Sequence, residues 1–421
     1  MTEKLLQFIW QFQYFNKSGL ATSDGEPLQI LFAGQYNTNQ GPDFLNAKLK
    51  IGETTWAGSV ELHLKSSDWV RHKHSEDKNY DNVILHVVWE QDKELQGLSQ
   101  RFPVLELNTS VSKILLTRYE SLMNAGSFIP CEKMLNEVKQ ITWRSWKDRL
   151  LAERLSRKAM VAGLMLQKNK QHWEETFWWM LAKNFGAKVN SEAFEAIAVS
   201  LPVTLLAKHK SQIHQLEALL LGQAGLLNEK WKDEYALLLQ REYRFLKEKY
   251  NLQPIKQAVH FLRMRPGNFP TIRLAQLAAL IHNSGHLFSK IKEAKDVSEL
   301  KKMFAVTAND YWHYHYKIDK ETSYRKKELG NNMIENIIIN TICPIIFAYG
   351  IYQQEEKHKS KSLKWLEKIA AENNSITNGF VNLGIDNKNA FDSQALIELK
   401  NEYCTKKKCL SCSIGNSLLK N

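Results

Sequence analysis

Proline and glycine are scarce in this chain, nine and nineteen among 421 residues, where an average protein would carry about 5% and 7%. No stretch reads as a low-complexity linker, so the parts of the chain are expected to pack together. Cysteine is scarcer still, with five, at 131, 343, 404, 409 and 412. They are too few and too clustered for a secreted disulfide framework, which leaves a reducing cytoplasm as the expected setting. Long apolar runs are missing as well. The longest, from Ile337 to Tyr352, is broken by Asn340, Thr341 and Pro344 and reads as a buried helix, with no membrane partner expected. The N-terminus has Glu3 and repeated glutamines where a signal peptide needs an unbroken apolar core. There is no Walker glycine loop, no G-x-S-x-G, no H-E-x-x-H and no dinucleotide-binding glycine fingerprint. ATP-driven, hydrolase-triad and dinucleotide chemistries are therefore disfavoured.

Acidic charge is short overall, with 57 Lys and Arg against 45 Asp and Glu, a net of +12. The deficit is uneven. Residues 1–110 hold 10 basic and 14 acidic side chains, and the remainder holds 47 and 31. An acidic head suited to cations is joined to a basic body suited to phosphates, although lysines are also common on solvated helix faces.

What is present divides the same way. Leu5, Phe8, Ile9, Phe12 and Phe15 recur at helical spacing, predicting an amphipathic opening helix. Strands are predicted at 28–32, 44–51, 54–65, 82–90 and 104–107, with a hairpin turn at Gly52-Glu53. The run N-V-I-L-H-V-V-W-E at 82–90 is continuous enough to be buried on both faces. From Ile141 nearly every segment has helical periodicity, with Glu153 and Arg157 at i,i+4 spacing for an ion pair. The expectation is an α/β domain over 1–130, a mostly helical basic domain over 131–400 and a cysteine-rich tail over 401–421.

One stretch concentrates chemistry. Gly41-Pro42-Asp43 forms a turn, and Glu61, His63 and Lys65 alternate along the strand that follows the hairpin. Alternate residues share a face of a strand, so these three can share a site, with Val60, Leu62 and Leu64 behind them. An acid at a turn with an acid and a base on the next strand suits Mg²⁺ or Mn²⁺, which prefer one or two carboxylates, waters and a substrate phosphate. Asp43 and Glu61 are the candidate ligands, and His63 or Lys65 would position or deprotonate a water. The plain alternative is a surface hairpin with alternating polar residues.

P-D-F at 42–44 followed by E-L-H-L-K at 61–65 resembles the PD-(D/E)XK, or restriction-endonuclease-like, nuclease superfamily over roughly residues 1–110. The resemblance implies a mixed sheet with flanking helices, metal ligation by Asp43 and Glu61, and hydrolysis of DNA or RNA phosphodiesters. The position of the assisting lysine holds His63, a departure that puts activity on His63 or the nearby Lys65. The whole chain is also similar to an uncharacterised bacterial family of unknown function. That likeness rests on G-P-D-F at 41–44, V-E-L-H at 60–63, R-M-R-P-G-N-F-P-T-I-R-L-A-Q-L-A at 263–278 and Y-C-T-K-K-K-C-L-S-C-S-I-G at 403–415.

Three further groups stand out. His72-x-His74 could reach a transition metal if it were extended, but it lies among Arg71, Lys73, Glu76 and Asp77 and reads as a solvated loop, while His86, inside its apolar strand, reads as a satisfied core histidine. Cys404, Cys409 and Cys412, flanked by lysines that would lower their pKa, suit zinc or an iron–sulfur cluster if a fourth ligand comes from upstream. Cys131 is the first candidate, since Cys343 sits in an apolar helix; unmetallated thiols are the alternative. Arg263, Arg265 and Arg273 around the Pro266–Pro270 loop could contact nucleic-acid phosphates at a helix N-terminus, or pair internally with a helix acid. The aromatic run at 311–316 suits base stacking, although half of its rings are expected in the core. The two functional readings are a metal-dependent nuclease and an inactive nuclease-fold nucleic-acid-binding or scaffold protein.

Overall fold

The computed structural model describes residues 1–94, 101–262 and 264–420. It separates into two compact units, one of Met1–Trp146 with Leu399–Asn421 and one of Lys147–Glu398. The last residues of the chain thus fold with the first, where the sequence suggests boundaries at 130 and 400.

The first unit is a mixed sheet with helices. Helix α1, Glu3–Phe12, is capped by the Thr2 hydroxyl, which accepts from the Leu5 N–H. It buries Leu5, Leu6, Phe8, Ile9 and Trp10. Six strands follow: β1 Leu28–Phe32, β2 Gln35–Tyr36, β3 Phe44–Ile51, β4 Thr54–Lys65, β5 Val83–Glu90 and β6 Val104–Glu106. Their order is β1-β3-β4-β5-β6, with β2 also paired to β3. The β1, β3 and β4 pairings are antiparallel, while β4–β5 and β5–β6 are parallel. Between β4 and β5 come a short helix, α2 Asp68–Arg71, and two 3₁₀ turns at His74–Glu76 and Lys78–Tyr80. Helix α3 is Lys113–Asn124, and the final helix, Ser413–Lys420, is joined to it by the Arg118 guanidinium bonding the Leu418 carbonyl at 2.7 Å.

Position in this order explains why β4 is unusual. Residues Ser59 to His63 are buried at every position, because the strand lies between β3 and β5 and both its faces are covered. The alternation expected of a half-solvated hairpin is absent: Thr54–Ala57 are exposed at every position, and burial then becomes continuous.

Helix α4, Gln140–Lys168, carries the division between the units. The second unit is almost wholly helical. It contains α5 Trp173–Phe185, α6 Ala187–Ser200, α7 Val203–Lys208, α8 Ile213–Gln223, α9 Glu234–Tyr250 and α10 Pro270–Asn283, then further helices to Glu398. A small hairpin, His315–Lys317 with Lys320–Glu321, falls in the aromatic run. Asn331–Tyr352 is long and apolar enough to cross a membrane, and 72% of its most apolar window is buried within the fold. Its middle widens into a π-turn at Ile338–Ile342, which frees the backbone ahead of Pro344, a residue that cannot donate to a helical ladder. Glu153 pairs with Arg149 at 2.9 Å, where spacing suggests Arg157. Arg157 and Arg154 instead share the buried Glu398.

Gly58 sets how closely β5 can approach β4. A Cβ there would lie 2.4 Å from the Asn82 carbonyl oxygen and 2.5 Å from Ile84 Cγ2. Gly58→Ala is expected to destabilise the protein by about 1–3 kcal/mol, as overpacking does, read as a lower urea midpoint. An unchanged midpoint would mean that the two strands separate freely.

Candidate metal centre

Asp43 leads into β3 behind Gly41, whose φ of 103° is open to glycine and strained for other residues. Glu61 is in the buried part of β4, and pairing of Phe44 with Val60 brings the two acids together. They are interlocked through the backbone. The Asp43 N–H donates to Glu61 Oε2 at 3.0 Å, and the Leu62 N–H donates to Asp43 Oδ2 at 3.1 Å. Gln7 on α1 donates to Asp43 Oδ1 at 2.7 Å. Glu61 is only 5% exposed. Burial raises both acids above the ordinary carboxylate range; the charge of Glu3 adds to it at Asp43, and those of Asp43 and Glu3 add to it at Glu61.

His63, two residues on, places Nε2 at 3.5 Å from Glu61 Oε1. Lys65 does not join them. Its residue is exposed, its backbone N–H donates to Asp68 Oδ2 at 3.2 Å, and its charge acts on Asp92.

The histidines that follow are not in a solvated loop. Lys73 takes a left-handed conformation, φ 59° and ψ 32°, and with α2 and the 3₁₀ turns it folds the segment back over β4. His74 is 9% exposed, its Nε2 3.3 Å from His63 Nε2 and 3.5 Å from Glu61 Oε1. His72 Nδ1 lies 3.2 Å from His63 Nε2. Glu61 is paired across the sheet with His86, whose Nε2 is 2.9 Å from His63 Nδ1. His86 is fully buried and its Nδ1 has no partner among the described residues, so it is not the self-satisfied core histidine its strand suggests. Burial and the neighbouring rings push His63 down to about 2 and His86 down to about 3. Both are neutral donors at physiological pH. An aromatic wall fixes them: His74 stacks on Tyr80 at 3.9 Å, and Trp69 meets His74, His86 and Phe102 at 4.4–5.3 Å between ring centres.

Residues 3–375 match the model of a family described as proteins of unknown function, DUF2851. The chain belongs to that family. No curated protein and no solved structure matches it.

In this DUF2851 chain the four cysteines named above for a metal all fall in the first unit. Cys131, Cys409 and Cys412 are buried, Cys404 is partly so, and all are free thiols. The expected depression of their pKa by lysines is overturned. Burial dominates, and each of Cys131, Cys404 and Cys409 is raised further by neighbouring thiols of the set, against the smaller pull of Lys400 and Lys407. The N–H groups of Ile414 and Gly415 bond to Cys412 and favour its thiolate. Cys343, in the other unit, is fully buried.

The basic candidates are in the helical unit. Arg263 lies outside the described residues, and Arg265 is exposed ahead of the 3₁₀ turn Pro266–Asn268. Arg273 bonds Gln276 Oε1 at 2.9 Å and Asn268 Oδ1 at 2.5 Å. Among the described residues no carboxylate pairs with it, and burial pushes it down to about 10. In the aromatic run Trp312, His313 and His315 are buried, while Tyr314 is exposed. A separate cavity of about 580 Å³ in this unit is lined mainly by apolar residues such as Phe177, Trp178, Leu206 and Leu280, and contains none of the acid–imidazole set.

The acid pair makes the metal-free protein sensitive to alkali. Unfolded carboxylates ionise at about pH 4, whereas the folded pair releases its protons between about 7 and about 9. The folded state holds more protons across that interval, so stability falls as pH rises through it. The lowered histidines act oppositely, but only below the ordinary imidazole range near 6.5. Chelator-treated protein should therefore show a urea midpoint that declines from pH 7 to 9, with Glu61→Gln flattening the decline. A flat or rising wild-type midpoint would show that the carboxylates are already ionised and compensated.

Proposed function

We propose that the first unit is a restriction-endonuclease-like fold and that the chain is a Mg²⁺- or Mn²⁺-dependent nuclease acting on DNA or RNA. The observation that carries this reading is the interlock of Asp43 with Glu61. Two acids buried together, whose charged neighbours are acidic and whose relief comes only from neutral hydrogen-bond donors, favour either protons or a cation. The donor set is oxygen-rich on the Asp43 side, which fits a hard ion. The arrangement of an opening helix, an antiparallel hairpin carrying the two acids, and a parallel buried strand agrees with the superfamily pattern.

A bound ion would polarise a phosphate and stabilise the departing oxygen. The chain's own residues have separate tasks. Gln7 and the Leu62 amide orient Asp43, the Asp43 amide orients Glu61, and the neutral His63 can take or hold a water proton. The basic helical unit, with Arg265 and Arg273, would hold the nucleic-acid backbone, and binding should weaken steeply with salt. A cytoplasmic setting suits the free thiols.

A second reading, an inactive nuclease-fold protein that binds nucleic acid or acts as a scaffold, is favoured by one observation. The lysine position holds a buried neutral histidine, and Lys65 is exposed beside Asp92. Incubation of the purified protein with labelled single- and double-stranded DNA and RNA, with Mn²⁺ or chelator, separates the two. Cleavage with Mn²⁺ and a loss of about 10²–10³ in rate for Asp43→Asn or Glu61→Gln, the usual cost of one electrostatic stabiliser, is expected. Binding without cleavage on every substrate would leave the scaffold reading.

We also propose that Cys131, Cys404, Cys409 and Cys412 hold a thiophilic centre, zinc or an iron–sulfur cluster, that ties the tail to the first unit. Anaerobically purified protein should contain the metal, and Cys409→Ser should lose it and lower Tm by several degrees. Metal-free wild type with unchanged Tm in the variant would refute the staple; an absorption spectrum distinguishes zinc from iron–sulfur.

A further inference from the structure

We infer that Glu61, His63, His72 and His74 form a second, nitrogen-rich centre for a zinc-class transition ion, beside the oxygen-rich side of the same carboxylate. The argument begins with crowding at one atom. His63 Nε2 has His72 Nδ1 at 3.2 Å, His74 Nε2 at 3.3 Å and Glu61 Oε1 at 3.5 Å. A ring nitrogen either donates one hydrogen bond or accepts one. Whichever tautomers the rings adopt, at most one of these three close contacts can be a hydrogen bond to this nitrogen. A cation among them removes the conflict.

The spacing is that of a coordination shell. Donors on a tetrahedral ion with bonds of about 2.0–2.1 Å stand about 3.3–3.4 Å apart. Glu61 Oε1, His63 Nε2 and His74 Nε2 form a triangle with sides of 3.5, 3.5 and 3.3 Å. The three histidine donors all fall within 4.8 Å of one another. Imidazole nitrogen selects zinc and its transition-metal neighbours over Mg²⁺, which takes oxygen.

The surroundings supply what a ligand set needs beyond its donors. His63 would bind through Nε2 because its Nδ1 is engaged with His86 Nε2 at 2.9 Å, the outer hydrogen bond that fixes a ligating ring. Tyr80 stacks on His74, holding that ring in place. His72 is exposed, so the ion has a route in from solvent. Glu61 divides its oxygens, with Oε1 toward the rings and Oε2 toward the Asp43 amide. One carboxylate can therefore serve both centres. The nitrogen-rich centre needs no phosphodiester chemistry and stands apart from the nuclease reading.

The test is a Co²⁺ titration of the chelator-treated full-length protein, followed by its ligand-field bands, with Mg²⁺ in excess throughout. Expected are bands of a low-coordinate nitrogen and oxygen site, separate from any sulfur-to-metal charge transfer at the tail cysteines, and competition by Zn²⁺ but not by Mg²⁺. His72→Ala is the informative variant because its side chain is exposed and the fold should survive. It should bind Co²⁺ more weakly by about tenfold or more, the scale seen when support around a site is lost, with an unchanged urea midpoint of the metal-free form. His74→Ala should abolish the bands. Wild type that shows only sulfur-ligated cobalt, or the same affinity and spectrum in wild type, His72→Ala and His74→Ala, would overturn the centre. Intact nitrogen-ligated cobalt in a protein that cleaves no nucleic acid would sustain the centre while removing the nuclease reading.

Discussion

The burial of Glu61 at the middle of the sheet is the constraint around which the first unit is arranged. β4 is antiparallel to β3 on one edge and parallel to β5 on the other, and at Ser59–His63 neither face meets solvent. A carboxylate there loses its hydration, and the loss must be offset locally. Backbone amides do part of this. The Asp43 N–H takes one oxygen of Glu61, and the turn that supplies it brings a second carboxylate into the same space. Offsetting one buried acid with a loop that carries another worsens the charge problem while improving the hydrogen bonding. That combination is poor design for stability and good design for holding a cation.

Much of this frame is legible in the chain. The patterns at 44–51 and 54–65, the turn at Gly52-Glu53 and the continuous run at 82–90 locate β3, β4 and β5 to within a residue, although the burial of β4 is continuous where its sequence alternates. The acid pair is legible too, being fixed by hairpin register. His72 and His74 are not. Their place depends on a left-handed Lys73 and on short turns that carry no period, and their charged neighbours Arg71, Lys73, Glu76 and Asp77 give the segment the composition of a solvated loop. His86 was visible only as one polar residue in an apolar strand. Its role comes from lying opposite Glu61 in parallel register, a relation between strands that neither sequence states.

The tail shows the same limit at longer range. Cys131 and Cys404 are far apart in the chain, and their electrostatic contact comes from the return of residues 399–421 to the first unit. The Tyr14 hydroxyl bonding Asn416 at 2.9 Å and the Lys400 ammonium bonding the Phe128 carbonyl at 2.7 Å anchor that return. Lysines near the thiols in sequence suggested activated thiolates. In the fold, desolvation outweighs them, because a thiol loses more by leaving water than it gains from a solvated ammonium a turn away. Proximity in sequence measures charge but not burial, and here burial decides the sign.

The histidine at position 63 can now be weighed as chemistry. A lysine there would bring a positive charge to Asp43 and Glu61 and would offset part of their repulsion whether or not an ion were bound. A buried neutral imidazole brings none, and the charges that act on Glu61, Asp43 first and then Glu3, are both acidic, relieved only by the Asp43 N–H bond. The carboxylates must then be balanced by protons or by cations, in direct competition. What the histidine offers instead is a lone pair on the Glu61 side and a fixed ring behind it, the features that a second, softer cation requires. On the proposed reading, His63 in the position of the superfamily's lysine offers a ligand instead of a permanent charge, and the balance of the sheet centre is left to protons or cations where a lysine would have built part of it into the fold.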